Sequence, residues 1–377
     1  MSLAIHGLLA EPSPDAVRTF LEGRTVPIVE GPSVTFLWTG DADVVNLRHW
    51  IYGLPSSQAF TRLAGTELWW LIVEIPPQSR VEYKLEVIRG DHRELVIDPR
   101  NPQRARDPFG ANSVVHSEGY AAPDWAVPDA EARPGSVDEH WIDSRVFLEK
   151  RRILLYKPAR FRKSRRYPLL FVHDGIDYLQ YTGLKAILDN LIHRLEIPEL
   201  VVAFSNSDHR LTEYAADERH ARFVTGEVFP LLEKKFPLLG TPAGRALMGA
   251  SFGAVASLST AFRTPGFYGR LLLQSGSFAF TDIGKGNHRG PLFDPIVTFM
   301  NEFRRHGLAV AEKLFVSCGQ YESLIYENRS LVPLLTASGM EVRYVEARDG
   351  HNWENWRDRL REGLSWLFPG PLWLVYE

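Results

Sequence analysis

The sequence predicts an α/β domain with a mostly parallel central sheet, preceded by a smaller β-sandwich of immunoglobulin-like type. Short apolar runs alternate with helical stretches in the C-terminal two thirds, whereas the N-terminal third carries short strands separated by turns. A stretch rich in Pro, Ala, Gly and acidic residues lies between them. With 377 residues the chain is long enough for two domains. We therefore expect a sandwich over 1–117, a linker over 118–138 and an α/β domain over 139–377.

The N-terminal third shows the period-two alternation of half-buried antiparallel strands. Residues 81–88, with the sequence VEYKLEVI, show it most clearly. Further strands are predicted at 34–39, 44–47 and 68–75, after a short helix at 13–22. Short strands with turn signals between them are typical of an immunoglobulin-like sandwich.

Beyond the predicted linker, strands and helices alternate. The predicted strands cover 151–156, 167–172, 200–204, 271–274, 314–317 and 342–345, and the clearest helices cover 182–195 and 218–236. Apolar strands bounded by short loops and separated by helices indicate a parallel sheet that is covered on both faces.

Composition and charge exclude several classes of partner. The net charge of −3 gives no electrostatic reason to expect nucleic acid or an anionic membrane. Cys318 is the only cysteine, so the chain cannot form an internal disulfide. The N-terminus lacks the pattern of a signal peptide, and no apolar stretch approaches the roughly 20 residues of a membrane span. We expect a soluble, cytoplasmic protein.

The most informative motif is Gly249-Ala250-Ser251-Phe252-Gly253, a G-x-S-x-G sequence. A short apolar run precedes it, and a stretch of small and apolar residues with helical character follows it. A strand, a sharp turn and a helix would expose the Ser251 hydroxyl at the top of an α/β sheet, as in the nucleophile elbow of the α/β-hydrolase fold. The flanking glycines suit a strained turn between packed elements. Ser251 is therefore the predicted nucleophile.

A serine hydroxyl needs an adjacent base. In α/β-hydrolases the acid and then the histidine follow the serine along the chain. His351 lies after the last predicted sheet strand and is the predicted base, and Glu322 lies in the turn after strand 314–317 and is the predicted acid. The alternatives are Asp349, Asp282 and Asp294 for the acid and His173 for the base.

The negative charge that develops during ester cleavage needs two N–H donors. One is the amide of Phe252, and the other is expected from Ile176, in the loop that follows the strand 167–172. Gly175 would let the backbone turn toward the site. His173, in the same loop, is expected to position substrate. The sequence contains no H-E-x-x-H, clustered His/Cys, Walker or G-x-G-x-x-G motif, so it predicts no metal and no cofactor.

These motifs resemble the esterase D and enterochelin esterase group of α/β-hydrolases, and the whole chain resembles the ferric enterochelin esterases. Segment 172–175 is similar to the family's oxyanion loop, and 249–253 with 273–278 is similar to its elbow and the following strand. Segments 319–322 and 350–351 fall where the family's acid and base lie. Segment 208–213, DHRLTE, is similar to the family's loop with Arg and Glu. This similarity implies that Arg210 contacts substrate and that Glu213 orients it. The part that includes 98–102 is similar to the family's immunoglobulin-like domain.

The chain departs from the family at Ala254, where the elbow usually continues with a second glycine. It also departs at 278–280, FAF, where the family's strand ends in tryptophans. Smaller aromatic side chains would change the pocket that receives a catechol ring.

The resemblance implies a serine esterase that hydrolyses a cyclic catecholate siderophore, a small-molecule ester, and so releases iron inside the cell. The residues by themselves predict only serine ester hydrolysis. The alternatives are a feruloyl, thioester or peptide-conjugate esterase, and an acyltransferase of similar fold. A non-catalytic carbohydrate-binding protein is a further alternative, with sugars stacked on Trp38, Trp50, Trp69 and Trp70. The oligomeric state and the role of the sandwich do not follow from the sequence.

Overall fold

The computed structural model describes residues 2–281 and 290–371, and the chain divides into two compact units. The first unit contains the chain up to Ala122 together with two short segments from further along, Gly319–Ser323 and Ala347–Asn352. The remainder of the chain, from Pro123 onward, forms the second unit. The division falls within the predicted linker 118–138, while the domain limits 1–117 and 139–377 stay a prediction.

The N-terminal part begins with two short helices, α1 and α2. Ser13 caps α2 because its side chain accepts a hydrogen bond from the amide of Ala16, and Pro14 occupies the first turn. The bounds are α1 Ala4–Ala10, α2 Pro14–Leu21, β1 Ile28–Glu30, β2 Ser33–Thr39, β3 Val44–His49, β4 Ser57–Ala59, β5 Thr61–Arg62, β6 Leu68–Glu74, β7 Arg80–Arg89, β8 His92–Val96, β9 Arg104–Asp107 and β10 Gly110–His116.

These strands form two antiparallel sheets that share one apolar core. The strand orders are β1-β2-β6-β5 and β4-β3-β7-β10-β9, and β8 also pairs with β7. Phe36 and Trp38 from the first sheet pack in the same core as Tyr83 and Leu85 from the second. The alternating residues of β7 therefore bury one face, as the period-two pattern predicts. Trp38 and Trp69 lie in this core and are 7% and 6% exposed, so they are unavailable for stacking on sugars.

The remainder of the chain supplies eight strands and most of the helices. The strands are β11 Ser136–Ser144, β12 Glu149–Lys157, β13 Leu169–His173, β14 Val201–Ser205, β15 Arg245–Ala250, β16 Arg270–Gln274, β17 Lys313–Gly319 and β18 Glu341–Ala347. The α-helices are α3 Gly175–Asp177, α4 Leu184–His193, α5 Arg210–Glu213, α6 Glu218–Phe223, α7 Phe229–Lys235, α8 Phe252–Arg263, α9 Asp294–His306, α10 Ile325–Ala337 and α11 Trp353–Leu367. Short 3-10 turns cover Asp124–Ala126, Pro242–Gly244 and Pro291–Phe293, and π-helical turns cover Tyr178–Thr182 and Val224–Val228.

The eight strands form one mixed sheet in the order β11-β12-β14-β13-β15-β16-β17-β18. The five neighbouring strands β14, β13, β15, β16 and β17 pair in parallel. At one side of the sheet, β12 pairs antiparallel with both β14 and β11. Alternate residues of β13 enter two separate cores: Leu169 and Phe171 enter one, and Leu170 and Val172 the other. Helices therefore cover both faces, and the predicted α/β class with a mostly parallel sheet is confirmed.

Two elements differ from the sequence prediction. The helix predicted at 218–236 is divided into α6 and α7 by the π-helical turn Val224–Val228. The predicted linker is partly ordered structure, since Trp125 is buried and β11 begins at Ser136. Among the described helices, none has the length and apolar character needed to cross a membrane.

Candidate active site

Ser251 lies between β15 and α8, and its backbone is strained. Its φ of 56° and ψ of −118° belong to a region that non-glycine residues rarely adopt. The neighbouring strand β16 holds this turn, because the Ser251 amide donates to the carbonyl of Gln274 at 2.9 Å. The Ser251 hydroxyl lies 3.2 Å from the hydroxyl of Ser277. A strained serine between a strand and a helix is the arrangement of a nucleophile elbow.

The two glycines of the elbow face different steric limits. A Cβ on Gly249 would lie 2.4 Å from backbone atoms of Gly253, so a side chain there would push β15 away from the start of α8. A Cβ on Gly253 would instead meet the Cβ of His173 at 3.2 Å, a tight contact that a small shift can relieve. The first glycine is therefore required by close backbone approach.

We expect Gly249→Ala to destabilise the protein by about 1–3 kcal/mol, as overpacking does, and to displace Ser251. Thermal unfolding and the rate of reaction with a fluorophosphonate measure the two effects. Gly253→Ala is the matched control and should cost less in both measurements. Equal effects of the two substitutions would contradict the steric account.

The two predicted oxyanion donors have different surroundings. Phe252 is the first residue of α8, so its amide has no acceptor within the helix and lies at the positive end of the helix dipole. The Ile176 amide donates to Oδ1 of Asn206 at 2.8 Å. Gly175 is required by close packing, since a Cβ there would lie 2.5 Å from the Cβ of Phe204. The left-handed residue of this loop is Asp174, with φ of 51°.

Glu322 and His351 are joined by a hydrogen bond within the first unit. The Nδ1 atom of His351 lies 2.7 Å from Oε2 of Glu322, and the other carboxylate oxygen accepts from the Gly319 amide at 2.7 Å. Because a carboxylate can only accept, Nδ1 carries the proton and Nε2 is left as the basic nitrogen. The Glu322 side chain is 1% exposed and that of His351 is 39% exposed. This pair has the geometry of an acid that orients a base.

The alternative acids occupy other environments. Asp294 is an exposed residue at the start of α9, and Asp349 is buried and faces the guanidinium of Arg80. Asp282 lies outside the described residues. Within residues 2–281 and 290–371, no group of three or more His, Cys, Asp or Glu side chains could hold a metal ion.

Arg210 is held by Asp174 and not by Glu213, which the sequence analysis assigned to it. Its Nε and Nη2 atoms donate to the two carboxylate oxygens of Asp174 at 2.9 and 2.7 Å. The Arg210 side chain stays 35% exposed. The guanidinium therefore braces the left-handed residue of the loop that carries Ile176, and part of it faces solvent.

Glu213 forms a buried ion pair with Arg151, so its predicted role of orienting Arg210 is corrected. The two guanidinium nitrogens of Arg151 donate to the Glu213 carboxylate at 3.1 and 2.6 Å, and Glu213 is 3% exposed. Burial by itself raises the pKa of Glu213, but the nearby His220, Arg151 and Ser207 side chains outweigh it and lower the pKa to about 2. The carboxylate of Glu213 is therefore held by Arg151 and is not available to orient Arg210.

His173, which is predicted to position substrate, is fully buried. Its Nδ1 lies 3.0 Å from the Met248 carbonyl and from the Ser257 hydroxyl, and its Nε2 lies 3.0 Å from Nε2 of His220. Burial, and next the neighbouring His220, hold the pKa of His173 well below its ordinary value. The neutral imidazole packs beneath the elbow, because β13 and β15 are neighbours in the sheet.

An α/β sheet that carries a strained serine between a strand and a helix defines the class of protein as α/β-hydrolase-like. The model of the Esterase family, described as "Putative esterase", matches residues 144–367, and the chain belongs to this family.

The whole chain is also similar to enterobactin esterases, which confirms the resemblance seen in the sequence. It is 24% identical to the iron(III) enterobactin esterase of Escherichia coli K12, over 88% of this chain and 90% of that protein. It is 28% identical to the iron(III) enterobactin esterase of Dickeya dadantii, over 83% of this chain and 80% of that protein. The structure of the Shigella flexneri enterobactin esterase, determined in the presence of enterobactin, superposes with a TM-score of 0.74. That match has 21% identity and covers 93% of this chain and 97% of the other.

Proposed function

We propose that this protein is a serine esterase that hydrolyses the ester bonds of a catecholate siderophore lactone through an acyl-enzyme. The observation that carries the chemistry is the strained conformation of Ser251 at the start of α8. In this proposal Ser251, His351 and Glu322 form the triad. Ser251 follows β15, Glu322 follows β17 and His351 follows β18, which is the chain order of an α/β-hydrolase triad.

In the proposed reaction, Nε2 of His351 takes the Ser251 proton as Oγ attacks the ester carbonyl. Glu322 keeps the imidazole in the required tautomer and stabilises the imidazolium. The oxyanion accepts from the amides of Phe252 and Ile176, and Ile176 exchanges its bond to Asn206 for this one. His351 then protonates the leaving alcohol, and water repeats the sequence on the acyl-enzyme.

The proposed substrate rests on similarity along the whole chain. The relatives match the N-terminal part as well as the α/β part, since the coverage is 83–88% of this chain. Arg210 is the proposed contact for the phenolate oxygens of the substrate, because its guanidinium remains partly exposed beside the ring of Phe252, 5.9 Å from the ring centroid. We also propose that the two antiparallel sheets of the first unit are an immunoglobulin-like sandwich.

The substrate proposal is tested by comparing ferric enterobactin, a feruloyl ester and p-nitrophenyl acetate under one set of conditions. We expect the highest kcat/KM for enterobactin, by about 100-fold or more, because binding contacts far from the reacting carbonyl contribute to transition-state stabilisation. Liquid chromatography with mass detection measures the release of 2,3-dihydroxybenzoylserine. A preference for the feruloyl ester would assign a different substrate, and transfer of the acyl group to an added alcohol in place of water would assign an acyltransferase.

A further inference from the structure

Arg80, at the start of β7, is a buried arginine whose hydrogen-bond partners include residues far away in the sequence. It is 2% exposed. One guanidinium nitrogen donates to Oδ1 of Asn352 at 2.9 Å and to Oδ1 of Asp349 at 3.3 Å, and the other donates to Glu82 at 3.0 Å. Asp349 and Asn352 stand on either side of His351 in the loop between β18 and α11. All of these residues belong to the first unit.

The backbone at the beginning of β7 is attached to the same loop. The Arg80 amide donates to the carbonyl of Arg348 at 3.0 Å, and the Arg348 side chain donates to the carbonyl of Pro77 at 2.8 Å. The neighbouring Ser79 hydroxyl lies 2.6 Å from the hydroxyl of Tyr321, the residue before Glu322. The segments that carry the acid and the base are therefore both anchored to one strand end of the N-terminal sandwich.

The loop also has internal hydrogen bonds to Asp349, the carboxylate that faces Arg80. Asp349 accepts from the Asn352 side chain at 2.8 Å and from the Gly350 amide at 2.7 Å. Burial raises the pKa of Asp349 to about 6, against the opposing effects of Arg80, Asn352 and the Gly350 amide. An unpaired buried carboxylate is costly, so without the arginine Asp349 would take up a proton or turn toward solvent, and either change alters the hydrogen bonds of this loop.

We propose that Arg80 is a positioning residue, through which the N-terminal sandwich holds the loop of His351 in its catalytic geometry. The inference rests on the proposed function, because it assigns His351 as the base. It also gives the sandwich a role in the reaction that does not depend on contact with substrate. Arg80 acts through Asp349 and Asn352 and has no direct part in bond making.

Arg80→Met removes the charge and the hydrogen bonds and keeps most of the side-chain volume. A displacement of about 1 Å at a catalytic group can cost on the order of 100-fold, so we expect kcat to fall by about 10- to 100-fold. KM should change little, because the substrate-binding residues are untouched. Asp349→Asn should lower kcat as well, and the double variant should be no worse than Arg80→Met, since both residues act through one network.

Tyr83→Phe is the matched control for damage to the sandwich. Tyr83 lies on the same strand, is fully buried and donates to Asp98 at 2.6 Å, with no bond to the 347–352 loop. It should lower the melting temperature and leave kcat close to that of the wild type. A fall in kcat for Arg80→Met no larger than for Tyr83→Phe would overturn the proposal. If Arg80→Met does not fold, Asn352→Ala replaces it. A fall in kcat larger than that of Tyr83→Phe would then support the proposal, and a fall no larger would overturn it.

Hydrogen exchange separates the failure of this proposal from the failure of the proposed function. We expect faster exchange of the amides in 347–352 in Arg80→Met than in Tyr83→Phe, whether or not the protein hydrolyses esters. An inactive wild-type protein with this exchange difference would overturn the proposed function only. An active wild-type protein without the difference would overturn the positioning role only.

Discussion

Ser251→Ala is expected to lose on the order of 10⁴-fold or more in kcat/KM for ester hydrolysis, since a triad without its nucleophile retains only what binding and the oxyanion donors supply. Alanine keeps the Cβ of serine, so the variant retains the strained φ and ψ found at Ser251. The turn and its backbone hydrogen bond to Gln274 are unchanged, so the melting temperature should stay close to that of the wild type. Hydrolysis of p-nitrophenyl butyrate and thermal unfolding measure the two quantities.

Ser259→Ala is the matched control for this change. Ser259 is a buried serine of α8, and its hydroxyl donates to the Ala256 carbonyl within the same helix at 3.2 Å. Its substitution removes one hydroxyl from the helix that follows Ser251 and should leave the hydrolysis rate near that of the wild type. Comparable rates for Ser251→Ala and the wild type would contradict the assignment of the nucleophile.

Glu322→Gln is expected to lower kcat by about 10³- to 10⁴-fold, with little change in the fold, as when the acid of a serine triad becomes an amide. The amide oxygen can still accept from Gly319, but the amide nitrogen that replaces Oε2 donates and cannot accept from Nδ1 of His351. The imidazole would then turn or adopt the other tautomer, and Nε2 would lose its place as the base. Single-turnover kinetics with the same ester measure this effect.

The control for the acid is Asp294→Asn, an exposed carboxylate that also follows Ser251 in the chain. Its rate should stay within about twofold of the wild type, because substitution of an exposed side chain usually has a small effect. A large loss of activity in Asp294→Asn, together with a normal rate in Glu322→Gln, would show that Glu322 is not the acid.

Much of the fold could be predicted because it depends on local patterns. The alternation in β7 and the apolar runs of β13, β16 and β17 are periodicities that a short window reveals. β11 was missed, because its Asp, Glu and His content resembles the acidic linker before it and its strand character comes from pairing with β12. The π-helical turn within 218–236 also has no local signal that distinguishes it from an ordinary helix.

Some residues of the candidate site could also be predicted from local patterns, whereas their long-range partners could not. Ser251 has a motif, and chain order selects Glu322 and His351, although their catalytic roles stay a prediction. The pairing of Arg210 with Glu213 was inferred from their spacing of three residues. In the structure each finds a partner further away in the sequence, Asp174 for Arg210 and Arg151 for Glu213.

Arg80 has no sequence signal at all. It is one of two arginines in β7, and two of its partners, Asp349 and Asn352, lie 269 and 272 residues further along the chain. Only the folded structure shows that it is buried against the loop of His351. Long-range polar networks of this kind depend on tertiary structure, and no propensity or motif describes them.

Reaction with a fluorophosphonate, followed by intact mass and peptide mapping of wild type and Ser251→Ala, tests the central claim most directly. The account predicts one adduct on the wild-type protein, located on the peptide that contains Ser251, and none on the variant. An unlabelled wild-type protein, or an adduct that persists in Ser251→Ala, would contradict it.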